Sequence, residues 1–597
     1  MCGITGIISL KNEKVSFEKI KEINDLIKHR GPDGEGFYIG DNFAFGHRRL
    51  SIIDLSDDGN QPMILDDDFI IIYNGEVYNY LELREELRSL GVIFYTESDT
   101  EVILKAYKEW GTDCVNKFNG MWSFSIFDKR KNILFCSRDR FGVKPFYYTK
   151  NSDFFSFGSE IKQLLPFNPS NKLNKKILAD YLIYGFEEHN QETFFENIYK
   201  LEPSNNLIYN LSTHEIKIYP YYSLKNNVTK KLNITNHTEK FRELLNSSIE
   251  LRLRSDVKVG TCLSGGLDSS SIAMIASQAY GDNFIGINAK SIQKDNDESH
   301  YAKIVAKKSS IDLHFVEPNT DDFYKVLKEV IKVQEEPFGG PSIFMQYFVF
   351  EKAKALGCKV MLDGQGGDEL LLGYERYFPV YWLKLPLLSK IKEIVNFARN
   401  SRLSVKEVIA YLLYFTSYRL RDKLTKRKWS ILKEDFVSLV NKDLIKKSAR
   451  SYRSSSELQI LEYKHLQLPH LLKYEDKNSM YHSIEARLPF LDYRLVQYGV
   501  SLPVRFKLKN GWTKFILRDS MKDILPEEIG WRKEKFGFEA PTKIWLEDKK
   551  MILNEIKSSK ILVSIINDFD KLNGLTDHQL WKLLNISLWE KIYKIEV

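Results

Sequence analysis

From about residue 238 the chain alternates short apolar runs with segments of helical spacing, and this rhythm restricts its fold more than any other feature. VKVGTCL reads as a strand, a glycine turn follows, and LDSSSIAMIASQA reads as a helix. FIGINA, LHFVEP and CKVMLD continue the series as strands, separated by helical stretches such as ESHYAKIVAKKS. Strand–helix alternation of this kind implies a parallel, doubly wound sheet, which binds its ligands at the carboxyl ends of its strands.

Residues 1–210 run differently. CGITGIISL, FAFGHRRLSIID, FIIIYNGEVYN, WSFSIFDKRKNILFCSRD and PFYYTKNSDFFSFGS are rich in β-branched and aromatic residues and broken by turns, which is the pattern of short strands. NYLELREELRSLG and DTEVILKAYKEWG have helical spacing, and each closes on a glycine. An α+β domain of layered antiparallel sheets with helices is expected here. A chain of 597 residues is long for one hydrophobic core. The second domain is expected over 238–597, an α/β doubly wound parallel-sheet domain with a helical C-terminal elaboration and a helical insert at about 377–472. The polar stretch SLKNNVTKKLNITNHTE supplies the boundary.

Composition narrows the function classes. A hydrophobic share of 43% and a charged share of 28% describe an ordinary globular protein. The formal charge of +7 permits anionic substrates but is small for a nucleic-acid binder of this length. Cys2, Cys114, Cys136, Cys262 and Cys358 are odd in number and widely spaced, with no CxxC pair, so neither a disulfide framework nor a zinc site is expected. No apolar run is long enough to span a bilayer and no signal peptide is legible, so a cytoplasmic protein without a transmembrane segment is expected.

Cys2 follows the initiator methionine and is small enough for that methionine to be removed. Its α-amine, with a pKa near ~8, then lies beside its own thiol and can serve as its general base. Alone, a cysteine at position 2 is an accident of sequence. Here HRGPDGEG (29–36), HRRLSIID (47–54), YNGEVYN (73–79) and ESDTE (97–101) follow it in order. With Cys2 these strings resemble the glutaminase domain of class II amidotransferases such as asparagine synthetase, an N-terminal-nucleophile hydrolase. The resemblance implies that the Asn74 side chain and the Gly75 backbone N–H bind glutamine and stabilise the tetrahedral oxyanion. It implies that Arg49 holds the α-carboxylate through its bidentate fork, and that Asp99 and Glu76 hold the α-ammonium and nearby polar atoms. Singly, Asn74-Gly75 is a turn signal and Arg49 a surface charge; the ordered set carries the reading.

SGGLDSS (264–270) follows VGTCL and opens a helix, so backbone N–H groups at a glycine turn and a helix N-terminus offer a phosphate cradle. No GK[ST] occurs, so this is not a Walker loop. The string resembles the pyrophosphate loop of enzymes that split ATP between its α- and β-phosphates. LDGQGGDELLLGY (362–374) follows CKVM and resembles the asparagine synthetase motif that borders acceptor and pyrophosphate. By that resemblance ATP contacts fall on Leu263, Ser264, Gly265, Gly266, Asp268, Ser269, Asp363 and Gly364. Asp268 and Asp368 are the expected ligands of Mg2+, which favours hard oxygen donors; as purely structural residues they would be helix caps. KYEDKNSMYHSIEARLPFLD (473–492) adds a near-complete family string, with Glu485 and Arg487 expected as an ion pair that shapes the site. In WRKEKFGFEAP (531–541), Lys535 is expected to neutralise the leaving pyrophosphate, with Lys533 second.

These strings run from residue 2 to about residue 545 in the family's order. The chain resembles the glutamine-hydrolysing asparagine synthetases, which implies glutamine, ATP and a small carboxylate acceptor as substrates, an acyl-adenylate intermediate, and ammonia passing between domains; a homodimer is compatible with it. Two departures bear on the acceptor. Gln365 stands where typical members carry a glutamate, and a neutral amide can neither act as base nor pair with an ammonium as a carboxylate would. Asp363 or Glu475 would then supply the charge. The 377–472 insert is longer than in compact members, basic and aromatic; it is extra packing, a wall for a larger acceptor, or a membrane-facing surface. L-aspartate and a uronic-acid sugar of bacterial surface polysaccharide are the two acceptor classes left open. A non-enzymatic scaffold would show erosion at Cys2 or SGGLDSS, and both are intact. A tRNA-modifying enzyme would bring an RNA-binding module, and none is legible.

Overall fold

The computed structural model describes the chain except Met1, residues 230–233, Asp282, 295–296, Arg402 and 534–538. Two six-stranded antiparallel sheets form the N-terminal half. In one, Gly3–Ser9 lies between Phe43–Arg49 and Phe154–Gly158, with Thr5 opposite Gly46 and Gly158. In the other, Phe69–Val77 pairs with Gly120–Asp128, placing Asn74 opposite Ser123. The run FIIIY does not alternate with polar residues because both faces of its sheet are covered. Ile70 and Ile72 join Ile4, Ile8 and Phe157 between the sheets, whereas Phe69, Ile71 and Tyr73 pack under the helices Tyr80–Ser89 and Asp99–Trp110. Ser98 caps the second helix by accepting from the Thr100 N–H at 3.1 Å, and Gly111 ends it at φ 59°.

The C-terminal half is built on a five-stranded parallel sheet ordered Asp312–Val316, Ile285–Ala289, Val259–Cys262, Val360–Leu362, Glu485–Arg487. The chain winds outward in one direction from Val259–Cys262, then returns to its other side. The crevice where ligands gather in such sheets therefore opens beyond Cys262 and Leu362, where SGGLDSS and DGQG begin. The 377–472 region is helical, including Leu387–Asn400, Val405–Thr416 and Tyr418–Lys428, and its Phe378, Trp382, Phe397, Val408 and Tyr452 form one cluster with Leu372 and Leu508.

Buried ion pairs join the halves. Arg30 pairs with Asp476 at 2.9 Å, Lys144 reaches the same carboxylate at 3.4 Å, and Arg487 reaches Glu76 at 3.5 Å. Breaking one such pair strands a buried charge, at about 3–5 kcal/mol. The final helix, Asp577–Tyr593, closes the assembly: Trp581 and Trp589 donate to the carbonyls of Phe338 and Glu335 at 3.2 and 2.8 Å, and Trp589 packs edge-on against Phe194 and Phe195.

Candidate active sites

Cys2 is buried immediately before the strand Gly3–Ser9. Its N–H donates to Asn74 Oδ1 at 3.2 Å, and its carbonyl accepts from Arg30 Nε at 3.2 Å. The Asn74 Nδ2 atom, by contrast, is buried without a hydrogen-bond partner. A buried amide donor left unpaired costs about 1–3 kcal/mol, so its persistence beside a thiol marks a place for an incoming oxygen. Gly75 is required by space: a Cβ there would meet the Met121 carbonyl oxygen at 2.1 Å. Burial pushes the Cys2 thiol up, opposed by the positive amino terminus, the Leu50 backbone and Arg49. An unassisted thiolate is therefore disfavoured, and an adjacent base is needed.

Two carboxylates stand by. Asp99 accepts from Tyr73 Oη at 2.9 Å and from the Val77 N–H at 3.0 Å; burial pushes it up to about 6. Glu76 has one oxygen near Arg487 and the other buried without a hydrogen-bond partner. Burial, then Asp99, holds Glu76 well above the usual carboxylate range. A buried acidic pair of this kind gains by accepting a cation. Arg49 is less free than its sequence role implies. Nη1 donates to the Ser56 carbonyl at 2.6 Å and to Asn60 Oδ1 at 2.9 Å, and Nη2 donates to the Asp54 carbonyl. Nε and one Nη2 hydrogen remain of the five donors.

In the second half a cavity of about 440 Å³ opens at the sheet crevice, lined by Leu263, Ser264, Gly266, Asp268, Ser269, Asp363, Gly364, Gln365 and Asp368 among others. Gly265 does not line it. It makes the turn instead, at φ +79°, where a Cβ would meet the Ala302 nitrogen at 2.7 Å. The helix Leu267–Tyr280 starts at Gly266 with no side-chain cap, so its first N–H groups face the cavity. Asp268 and Asp368 come from different strands' ends and converge on the Lys514 ammonium, with Asp368 at 2.6 Å. Burial lowers the Lys514 pKa, but the two carboxylates outweigh it and hold the group above its ordinary value. A position where two hard oxygen donors already share a cation fits Mg2+, which takes one or two carboxylates and completes its shell with phosphate and water.

Lys514, Arg518 and Arg532 all line the cavity, and none was legible beforehand: a lysine in NGWTKFILRD looks like any solvated cation. Lys535 lies outside the described residues, and Lys533 is exposed and does not line the cavity. Behind Gln365, Glu475 accepts from Gln346 Nε2. Burial, then the neighbouring Asp363, raises Glu475 well above the carboxylate range, and burial raises Asp363 too.

One strand touches both sites. The carbonyl of Arg487 accepts from the Asp363 N–H at 3.0 Å, while its guanidinium bonds Glu485 and approaches Glu76 in the first site. The ion pair expected of Glu485 and Arg487 forms, and Arg487 also reaches across between the halves.

Comparison with known proteins gives two family matches. Residues 1–222 match the glutamine amidotransferase domain model, and residues 240–589 match the asparagine synthase model. Glutamine-hydrolysing asparagine synthetase 1 of Bacillus subtilis is 30% identical over 99% of this chain and 97% of its own length. Asparagine synthetase 2 of the same organism is 34% identical, covering 88% and 70%. A provisionally named asparagine synthetase of Methanocaldococcus jannaschii is 39% identical, covering 68% and 81%. With both halves matched in order and each organised around its own crevice, the chain belongs to the asparagine synthase family of glutamine-dependent amidotransferases.

Proposed function

We propose that the protein hydrolyses glutamine at Cys2 and delivers the ammonia to an ATP-activated carboxylate, with L-aspartate as the acceptor. The observation that carries this is the strand Glu485–Arg487, where the Arg487 carbonyl accepts from the Asp363 N–H in the second crevice while its guanidinium lies 3.5 Å from Glu76 in the first site.

With Met1 removed, the Cys2 α-amine takes the thiol proton as sulfur attacks the glutamine amide carbon. Asn74 Nδ2 and the Gly75 N–H hold the oxyanion. The ammonium returns its proton to the leaving nitrogen, ammonia departs, and water hydrolyses the thioester to glutamate. Asp99 and Glu76 bind the glutamine α-ammonium, and the spare N–H groups of Arg49 its carboxylate. In the crevice the acceptor carboxylate attacks the α-phosphorus of ATP and pyrophosphate leaves toward Lys514 and the N–H groups that follow Gly266. Ammonia then displaces AMP from the acyl-adenylate. Mg2+ held by Asp268 and Asp368 would neutralise phosphate oxygens. An enclosed route between the sites keeps ammonia from being protonated by water.

The acceptor assignment rests on Asp363 and Glu475. Asp363, which lines the crevice, and the buried Glu475 beside it disfavour an anionic sugar nucleotide, and they gain a favourable partner when an amino-acid ammonium binds. Pyrophosphate exchange into ATP tests this directly. Aspartate should drive exchange, and the double change Asp363→Asn with Glu475→Gln, which leaves no carboxylate there, should raise its KM about 10- to 100-fold, the scale of a lost charged hydrogen bond. Exchange driven by uronic-acid sugar nucleotides instead of aspartate sinks the acceptor assignment; release of ADP and phosphate sinks adenylation itself.

A pH profile checks the glutamine pocket. Asp99 must be anionic to bind an ammonium, and its pKa is pushed up to about 6 by burial. Glutamine kcat/KM should fall by about one decade per pH unit below the Cys2 amine's pKa, steepening to about two decades as pH drops through 6. Asp99→Asn should lower kcat/KM and remove the steepening; if the break persists in that variant, another group causes it.

A further inference from the structure

Eleven of the 24 large hydrophobic side chains exposed among the described residues fall between Leu383 and Leu424. They are ordered. On helix Leu387–Asn400, Leu387 (71% exposed), Leu388 (83%), Ile391 and Val395 form one stripe. On helix Val405–Thr416, Val405, Ile409 and Leu413 repeat at four-residue spacing, and only Val408 is buried. The third helix, Tyr418–Lys428, buries none of its residues and presents Arg419, Lys423 and Arg427 at the same spacing, bordered by the exposed Leu420 and Leu424. The three helices touch one another in sequence. Lys392 and Arg399 border the first stripe and are exposed as well.

Charge identifies the occupant. Residues 383–428 hold twelve Lys and Arg against three Asp and Glu, a net +9, in a chain whose whole net charge is +7. The remainder of the protein is therefore slightly acidic, and its positive charge is concentrated on a surface that is also apolar. A second copy of the chain would bring +9 against +9. A nucleic-acid backbone would match the charge but leave the aliphatic stripes in water. An anionic bilayer surface satisfies both, with phosphate headgroups meeting the basic residues and the acyl boundary receiving the leucine and isoleucine side chains. No helix among the described residues is long and apolar enough to cross a membrane. We propose that the helices Leu387–Asn400, Val405–Thr416 and Tyr418–Lys428 form a docking face that lays this enzyme on an anionic lipid surface.

Vesicle flotation of the full-length enzyme tests this. Wild type should float with vesicles of phosphatidylcholine mixed with phosphatidylglycerol, remain behind with phosphatidylcholine alone, and be released by added salt. L388E/I391E/L413E should reduce partitioning at least about tenfold. R419E/K423E/R427E should reduce it by about fivefold or more for each basic residue removed. Both variants should keep wild-type pyrophosphate exchange in lipid-free buffer, because none of these residues lines the cavity, and that activity shows they fold. The proposal is overturned if wild type ignores the anionic vesicles, or if both variants float as wild type does. It is equally overturned if light scattering shows that these helices mediate a dimer, or gel shift shows RNA binding, in place of vesicle binding.

Discussion

Cys2→Ala should abolish glutamine-dependent amidation, by roughly 10⁴-fold or more, while amidation with added ammonium salts stays within about a factor of two of wild type, as does pyrophosphate exchange. The size of the effect follows from the site. Burial disfavours an unassisted thiolate, so reaction depends on sulfur and its own amine acting as a unit, and removing the sulfur leaves only the oxyanion donors. The fold should tolerate the change, because Cys2 is a small side chain at a strand end held mainly through its backbone to Asn74 and Arg30. The experiment separates the halves cleanly. Retained glutaminase activity in the variant would falsify the nucleophile assignment, and mass spectrometry showing Met1 still present on active enzyme would do the same for the amine.

Lys514→Met should have the converse phenotype. Pyrophosphate exchange should fall about 10²- to 10³-fold, the scale of removing one preorganised charge from a transition state that develops negative charge, with glutaminase activity preserved. Lys514 is almost fully buried, 3% exposed, and its ammonium is shared by Asp268 and Asp368. The methionine variant fills similar volume but leaves two carboxylates facing each other, and it removes the cation nearest the departing phosphates. Lys514→Arg should recover part of the loss, since charge returns without the compact geometry of an ammonium. Should Lys514→Met retain exchange within about threefold of wild type, the group is only a resting counter-ion for the aspartates.

Much of this was legible along the chain. The glycine turns after VGTCL and CKVM, the non-alternating FIIIY run, and the glycine-closed helices each encode their structure in neighbouring residues, where short-range sterics and periodicity suffice. The ordered strings around Cys2, Asn74 and Asp99 carried the family. Lys514 could not be found this way, because its role depends on Asp268 lying beside it across 246 positions of sequence. Arg49 is a case its residue type could not settle: a bidentate fork suits a carboxylate, and only the structure shows that three of its five donors serve the turn at Asp54 to Asn60. The final helix, with no legible role in sequence, closes the two halves through Trp581 and Trp589.

By itself the sequence determined the two kinds of sheet, since periodicity and turn residues are local, and its ordered strings determined the family; through that resemblance they also mark Cys2 and SGGLDSS as the candidate nucleophile and phosphate loop. Tertiary structure alone decided which charges meet: that Arg487 reaches Glu76 while its backbone holds Asp363, that Glu475 stands behind Gln365, and that three amphipathic helices remain uncovered on one face. Such encounters depend on strand register and on how two cores dock. The energies that set them are summed over hundreds of contacts, and no short stretch of chain carries that sum.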